Sequence, residues 1–138
     1  MTYPQRRIRI ILTIAAFLLL QSQAIQANIC TYKSLKPIRR FCGMVVDSSG
    51  EPILNATVSV LKGGTQVLTK STDAKGLFEF DLTEPGEYEV HAGATNFGKM
   101  SFRFKLSRPN TKCKGVVVIQ LGVAGDCSDV KFMSPKRV

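Results

Sequence analysis

The sequence predicts an all-β domain with seven strands arranged as a β-sandwich. Short segments alternate between apolar and polar side chains with the two-residue period of a half-buried strand. Clusters of glycine, proline and aspartate, which form tight turns, separate these segments. After residue 27, no window of twelve residues has the period of an amphipathic helix. Strands joined by short turns at this spacing favour a sandwich over other folds.

The predicted strands follow one another from residue 41 to residue 121. They are Phe41–Val46, Thr57–Lys62, Thr65–Thr69, Leu77–Leu82, Gly86–Ala92, Lys99–Leu106 and Gly115–Leu121. In the fourth to sixth strands the alternation assigns one apolar set to the core, namely Phe78, Phe80, Leu82, Tyr88, Val90, Ala92, Met100, Phe102, Phe104 and Leu106. The seventh strand is apolar on both sides, which indicates burial on both faces or a covering terminal segment.

Residues 1–27 are predicted to be a secretory signal peptide. Three arginines among residues 6–9 precede an eleven-residue apolar run at residues 10–20, and Ala24 or Ala27 ends the cleavage motif, with Ala27 preferred. Eleven apolar residues are too few for a membrane span, which needs roughly 20. We therefore expect a secreted or periplasmic protein without a stable membrane span.

The exported chain divides into a basic lead-in (28–40), the sandwich (41–122) and a C-terminal tail tied by a disulfide (123–138). Four cysteines, Cys30, Cys42, Cys113 and Cys127, all lie in the exported part. An even number in an oxidising compartment predicts two disulfides. Parallel first and last strands would join Cys42 to Cys113, and antiparallel ones would join Cys42 to Cys127. A local pattern, Cys30–Cys42 and Cys113–Cys127, also stays open.

The turn and core motifs of the chain resemble the carboxypeptidase regulatory-like domain family. The residues that carry the resemblance are Gly43, Asp47, Gly50, Pro52, Asn55, Asp73, Gly76, Pro85 and Gly86. The resemblance covers residues 41–121 and implies a prealbumin-like, seven-stranded Greek-key β-sandwich. It also implies a non-catalytic module that aids folding, stability or binding.

The residue inventory predicts no enzyme, no cofactor and no metal site. His91 is the single histidine; it falls on the solvent side of a strand with Glu89, and no serine or cysteine is placed beside it in the sequence. We interpret it as a surface histidine, because a catalytic histidine needs a nucleophile and an orienting partner. Relatives of this architecture with activity, the intradiol dioxygenases and the hydroxyisourate hydrolases, use several histidines. Asp73 is interpreted as a turn cap, since calcium needs more carboxylates.

Charge gives the only hypothesis about partners. The exported chain has 16 basic and 10 acidic residues, and Lys99, Arg103, Lys105 and Arg108 form a candidate basic binding face. If the acidic strands lie in the opposite sheet, the domain has one acidic and one basic face.

We therefore predict a non-catalytic exported module with a structural or protein-binding role. The alternatives are a carbohydrate-binding module, with Phe97 as its exposed aromatic ring, or a binder of anionic envelope polymers through the basic face. The expected partner is an unknown protein or a cell-envelope polysaccharide, and not nucleic acid.

Overall fold

The protein folds into two β-sheets that face each other across an aromatic core. The computed structural model describes residues 37–113, 115–123 and 126–133. The predicted signal peptide, Cys30 and most of the basic lead-in lie outside them. The strands are β1 (Phe41–Val46), β2 (Thr57–Lys62), β3 (Thr65–Ser71), β4 (Leu77–Phe80), β5 (Gly86–Gly93), β6 (Met100–Leu106), β7 (Val116–Gln120) and β8 (Asp129–Met133). Throughout these described ranges, no helix has the length and apolar character needed to cross a bilayer.

The sheet order confirms the predicted prealbumin-like Greek-key sandwich. The first sheet has the order β4-β1-β7-β8 and the second has the order β3-β2-β5-β6. β1 pairs in parallel with β7, and all the other strand pairs are antiparallel. β1 therefore lies inside the first sheet, between β4 and β7, although it comes first in the chain.

The described residues form eight strands, one more than the seven predicted. β8 pairs with β7 from Val116↔Met133 to Gln120↔Asp129, within the segment that the sequence analysis described as a tail. β8 has only five residues, of which only Val130 is buried. An edge strand that buries so little carries almost no period-two signal, and this explains why the pattern missed it.

The end of β4 also differs from the prediction. The sequence pattern continued to Leu82, whereas β4 ends at Phe80. Phe80 pairs with Phe41, the first residue of β1. Among the described residues, no strand pairs with the chain directly after this position, so pairing rather than hydrophobicity sets the end of the strand.

The core confirms the predicted inner faces of β4, β5 and β6. Phe41 lies at its centre, with ring centroids 4.7 Å from Phe104, 5.1 Å from Phe78 and 5.5 Å from Phe80. These rings are buried, as are the inward residues of β5 and β6. Since side chains alternate along a strand, the residues between them must face solvent. That alternation places the polar side chains of β2, β5 and β6 on one outer surface.

Candidate functional site

A groove of about 750 Å³ lies on the outer surface of the second sheet, where β2, β5 and β6 run side by side. Its lining includes the hydroxyl side chains of Thr57, Ser59, Thr95 and Ser101 and the nitrogen-bearing side chains of His91 and Lys99. Val58, Val60, Val90 and Phe102 are buried on the other side of the same strands. The core packing of these strands therefore determines which polar residues line the groove.

His91 lies between two serines in the register of the sheet. It pairs with Ser59 of β2 on one side and with Ser101 of β6 on the other. Directly opposed residues on antiparallel neighbours have Cα atoms about 4.5–5.5 Å apart, so their side chains share one row. Contrary to the expectation that no serine is placed beside His91, the sheet brings one serine to each side of it. Period two puts both serines on outward positions, but only the strand order brings them next to the histidine.

His91 is held by a carboxylate on its own strand. Its Nε2 lies 2.7 Å from Oε1 of Glu89, and Nη2 of Arg103 lies 3.5 Å from Glu89 Oε2. The hydrogen bond with His91 is the main cause that lowers the pKa of Glu89 below its ordinary value; the charges of His91 and Arg103 add to it, and desolvation opposes it. At neutral pH Glu89 is thus ionised and can only accept hydrogen bonds. In neutral His91 the hydrogen therefore lies on Nε2, and the Nδ1 lone pair is free to accept a proton.

The two serines differ in how their hydroxyl protons are used. Ser59 Oγ and Thr69 Oγ1 are 2.8 Å apart, and Thr69 donates to the Val58 carbonyl oxygen at 3.3 Å. Ser59 therefore donates to Thr69. Within the part of the chain that the structure describes, the Ser101 hydroxyl has no hydrogen-bond partner. Ser101 is consequently the hydroxyl next to His91 whose proton is uncommitted.

The predicted separation of acidic and basic faces is wrong, because β5 and β6 are neighbours in the same sheet. Glu87 pairs with Lys105 and Glu89 pairs with Arg103. Of the candidate basic residues, Arg103 and Lys105 are outward positions of β6, and Lys99 precedes the strand on the same side and lines the groove. Arg108 lies in the loop after β6. Glu87 and Glu89 of β5 lie beside Lys105 and Arg103, so this surface carries charges of both signs.

Cys42 of β1 and Cys113, which precedes β7, form a disulfide with their Cα atoms 6.2 Å apart. This is the pairing that the sequence analysis attached to parallel first and last strands, and β1 and β7 are parallel. Cys127 is also disulfide-bonded. The expected protein or polysaccharide partner is not tested by these contacts and stays a prediction.

The motif residues lie in β1 and in the turns that follow it. Asp47 accepts hydrogen bonds from the backbone N–H groups of Ser49 and Glu51, and Asp73 accepts them from Lys75 and Leu77. A Cβ at Gly43 would overlap the Val117 carbonyl oxygen. Gly50, Pro52, Asn55, Gly76 and Pro85 lie in the loops between strands, and Gly86 is the first residue of β5. This set shapes the backbone and lies outside the His91 row.

Two further expectations concern ligands. Phe97 is not the exposed ring that a sugar platform needs, because it is partly buried against the core and bridges to Val123. Among residues 37–113, 115–123 and 126–133, no group of three or more His, Cys, Asp or Glu side chains could hold a metal ion.

Two solved structures are similar to the chain. The structure of Klebsiella pneumoniae 5-hydroxyisourate hydrolase matches with a TM-score of 0.55 and 18% identity, over 69% of this chain and 99% of that chain. Sea bream transthyretin in complex with thyroxine matches with a TM-score of 0.48 and 19% identity, over 71% of this chain and 98% of that chain. No curated protein matches the sequence. At this identity the likeness shows the fold alone.

The first of these structures corrects the prediction of a non-catalytic module. Its fold is the fold of this chain, and it belongs to an enzyme. The chain has too few histidines for the sites of the two enzyme classes considered, the intradiol dioxygenases and the hydroxyisourate hydrolases. A site of different composition on the same fold, such as the row around His91, is not excluded by the number of histidines. The predictions of no enzyme and of a purely structural or binding role are therefore not upheld.

The family match rests on the sandwich itself. The model of the carboxypeptidase regulatory-like domain matches residues 41–118, which run from the first residue of β1 into β7. This range includes the motif turns after β1, the aromatic core and the His91 row. More than half of the chain is therefore matched, and the protein belongs to the carboxypeptidase regulatory-like domain family.

Proposed function

We propose that the protein is a hydrolytic enzyme and that the groove over β2, β5 and β6 is its active site. One observation carries the proposal: His91 Nε2 is hydrogen-bonded to the ionised Glu89 at 2.7 Å, beside the uncommitted hydroxyl of Ser101. A histidine that is oriented by a carboxylate and has a free nitrogen meets the geometric requirement for a general base. Because His91 is half exposed, with 51% of its side chain accessible, a substrate in the groove can reach it.

In the proposed reaction Nδ1 of His91 accepts a proton from the nucleophile, whose oxygen attacks an acyl carbon held in the groove. The nucleophile is a water molecule or the Ser101 hydroxyl. Glu89 stabilises the imidazolium that forms, since its negative charge lies against Nε2. The same imidazolium then gives its proton from Nδ1 to the leaving group, which returns His91 to its neutral form. If water was the nucleophile, the acid product leaves at this point. If Ser101 was the nucleophile, the acyl group is now an ester on its oxygen; a water molecule that gives its proton to Nδ1 attacks this ester, and the proton passes to the departing Ser101 oxygen.

The test uses 4-nitrophenyl acetate as a general acyl probe with the purified mature protein. Free imidazoles also cleave this ester, so the reference is N-acetylhistidine at the same concentration. General base catalysis contributes on the order of 100-fold or more. We therefore expect the protein to exceed the reference by about that factor and His91→Gln to lose the excess. A rate equal to that of N-acetylhistidine overturns the proposal.

A matched pair of variants tests the role of Glu89. Glu89→Gln removes the charge next to His91, whereas Glu87→Gln removes a charge from the outward position two residues earlier on β5. We expect the first to lower the rate by about tenfold or more and the second to leave it unchanged. Equal effects would mean that general surface charge, and not the pair, determines the rate. Ser101→Ala decides the nucleophile: loss of activity identifies Ser101, and retained activity identifies water.

We further propose that the protein is exported by way of the signal peptide at residues 1–27. The Cys42–Cys113 disulfide supports this, because such bonds persist in oxidising compartments. Expression of the full chain in a secreting host, followed by mass spectrometry of the product, tests the idea. A mature N-terminus at residue 28 or residue 25 is expected, and an intact chain with reduced cysteines in the cytoplasm would contradict it.

A further inference from the structure

Lys99 is a positive charge in the groove that no acidic side chain neutralises. Several other cations of the sheets are paired: Arg40 contacts Glu79 at 2.5 Å, and Arg103 contacts Glu89. Lys105 of β6 has no ion pair among the described residues either, but it lies outside the groove. Among the described residues, Lys99 has neither an ion pair nor a side-chain hydrogen bond. The groove therefore contains a cation that is free to pair with a ligand.

Gly93 lets the Lys99 side chain lie along the groove. A Cβ at Gly93 would come 3.1 Å from Cγ of Lys99 and 3.8 Å from its Cα. The ladder between β5 and β6 ends at Ala92 and Met100, and Lys99, which directly precedes β6, lies beside Gly93. The methylene stem of Lys99 crosses the space that a side chain at position 93 would fill. The β5 backbone thus supports the stem and keeps the ammonium group beside the groove.

The remaining described lining residues are uncharged or basic. They are hydroxyl, amide and small side chains, together with His91, and Glu89 is turned towards His91 and Arg103 rather than into the groove. A neutral ligand can accept a hydrogen bond from Lys99 but gains no attraction between opposite charges, and a cationic ligand is repelled by it. An anionic group gains a charge-assisted hydrogen bond, which is stronger than a neutral one.

We propose that the substrate of this site is a small carboxylate, whose anionic group pairs with Lys99 while its acyl group lies against His91. This inference rests on the proposed hydrolytic function. Lys99 lies two ladder positions from the His91–Ser101 pair, a distance of about 7 Å along the strand. The substrate therefore carries its carboxylate about one short carbon chain away from the acyl carbon. A monoester or monoamide of a four- or five-carbon dicarboxylic acid has this chemistry.

Binding is measured separately from turnover by NMR. His91 is the single histidine of the chain, so its ring protons and carbons give unique signals. Succinate and its neutral analogue succinamide are titrated at low ionic strength. We expect the His91 signals to shift and to saturate as succinate is added. The protein should bind succinamide about tenfold more weakly, as the loss of a charged hydrogen bond implies. Equal binding of the two probes, or no binding of either, overturns the inference.

Variants of Lys99 assign the effect to this side chain. Lys99→Met keeps the stem over Gly93 and removes the charge, and it should weaken succinate binding about tenfold. Lys99→Arg, which keeps the positive charge, should bind succinate with about the affinity of the parent protein. Lys105→Met removes an exposed charge of β6, six residues further along the chain and outside the groove; it is the matched control and should leave the affinity unchanged. If Lys105→Met weakens binding as much as Lys99→Met, the net charge and not the groove attracts the anion, and the inference fails.

The two proposals fail in different ways. Lys99-dependent binding of succinate without ester cleavage would overturn the hydrolytic function and keep the carboxylate site. Cleavage that depends on His91 but favours neutral 4-nitrophenyl butyrate over mono-4-nitrophenyl succinate would keep the function and overturn the substrate class. The succinate ester is expected to be cleaved with a kcat/KM about tenfold higher than the neutral ester, and Lys99→Met should remove that preference.

Discussion

Replacing Phe104 by alanine should destabilise the protein far more than replacing its neighbour Arg103. Phe104 is 2% exposed, and its ring stacks on Phe41 at 4.7 Å and on Tyr88 at 5.5 Å. The change removes this ring from the contact between the two sheets and leaves a cavity among aromatic side chains. Phe→Ala substitutions in such positions cost about 3–5 kcal/mol. Total stabilities are about 5–15 kcal/mol, so the loss is a large part of the free energy of unfolding.

Arg103 is the matched control because it occupies the next position of β6 and faces solvent. Its side chain is 76% exposed, and it contacts only Glu89, at 3.5 Å. An exposed ion pair of this kind contributes about 0–1 kcal/mol. Phe104→Ala should therefore lower the melting temperature by roughly 12 °C or more, and Arg103→Ala by only a few degrees.

Urea and thermal unfolding followed by far-ultraviolet circular dichroism measure both variants, with the disulfides intact. The m-value of urea unfolding should stay the same while the midpoint concentration of urea falls, which is the result expected when only the stability changes. Similar midpoints for the two variants would refute the assignment of faces along β6. Since the same alternation places Ser101 and Lys99 beside the groove, that result would also remove the basis of the site.

Three further predictions concern turns and crosslinks. Gly76→Val should destabilise by more than 1 kcal/mol, because Gly76 has φ of 70° and a Cβ there would come 2.5 Å from a carbonyl oxygen of β1; an unchanged urea midpoint would be inconsistent with this turn. The hydroxyl of Ser49 lowers the pKa of Asp47, and a backbone hydrogen bond contributes further. Asp47 therefore stabilises the fold at pH values above its unfolded pKa of about 3.9. This stabilisation is lost as the pH falls through the folded pKa. Asp47→Ala should thus destabilise at neutral pH and match the parent in acid; a difference that is independent of pH would contradict this origin. Replacing Cys42 and Cys113, which are 71 residues apart, by serine should lower the free energy of unfolding by about 4 kcal/mol, because the unfolded chain gains entropy. Urea unfolding of the variant and the parent under oxidising conditions measures this difference. A difference near zero would argue against a structural crosslink.

The fold could be predicted because its determinants are local. The inward set of β6, from Met100 to Leu106, and the turn aspartates Asp47 and Asp73 can be recognised within a few residues of sequence. The Asp47 and Asp73 turns depend on hydrogen bonds within five residues of the chain, so the sequence shows them without reference to distant strands. β8 was not predicted for the same reason. Its residues Lys131, Phe132 and Met133 are all exposed, so the strand shows no alternation of apolar and polar side chains.

The candidate site could not be predicted because it depends on which strands are neighbours. Ser59 and Ser101 are 32 and 10 residues from His91 in the chain, and only the order β2-β5-β6 brings them to its two sides. The same missing information produced the wrong charge separation, since Glu89 and Arg103 belong to adjacent strands. Period two says which way a side chain points. It does not say what lies beside it.

The position of β1 between β4 and β7 has a consequence for how the chain is made. Phe41, the centre of the core, is among the first of the described residues to be synthesised, yet its strand has both partners only after residue 120 exists. Contacts between residues so far apart form late and slowly during folding. Until translation is nearly finished, the nascent polypeptide therefore presents an unpaired, aromatic leading strand. An N-terminal fragment that stops before Val116 should accordingly be unable to fold.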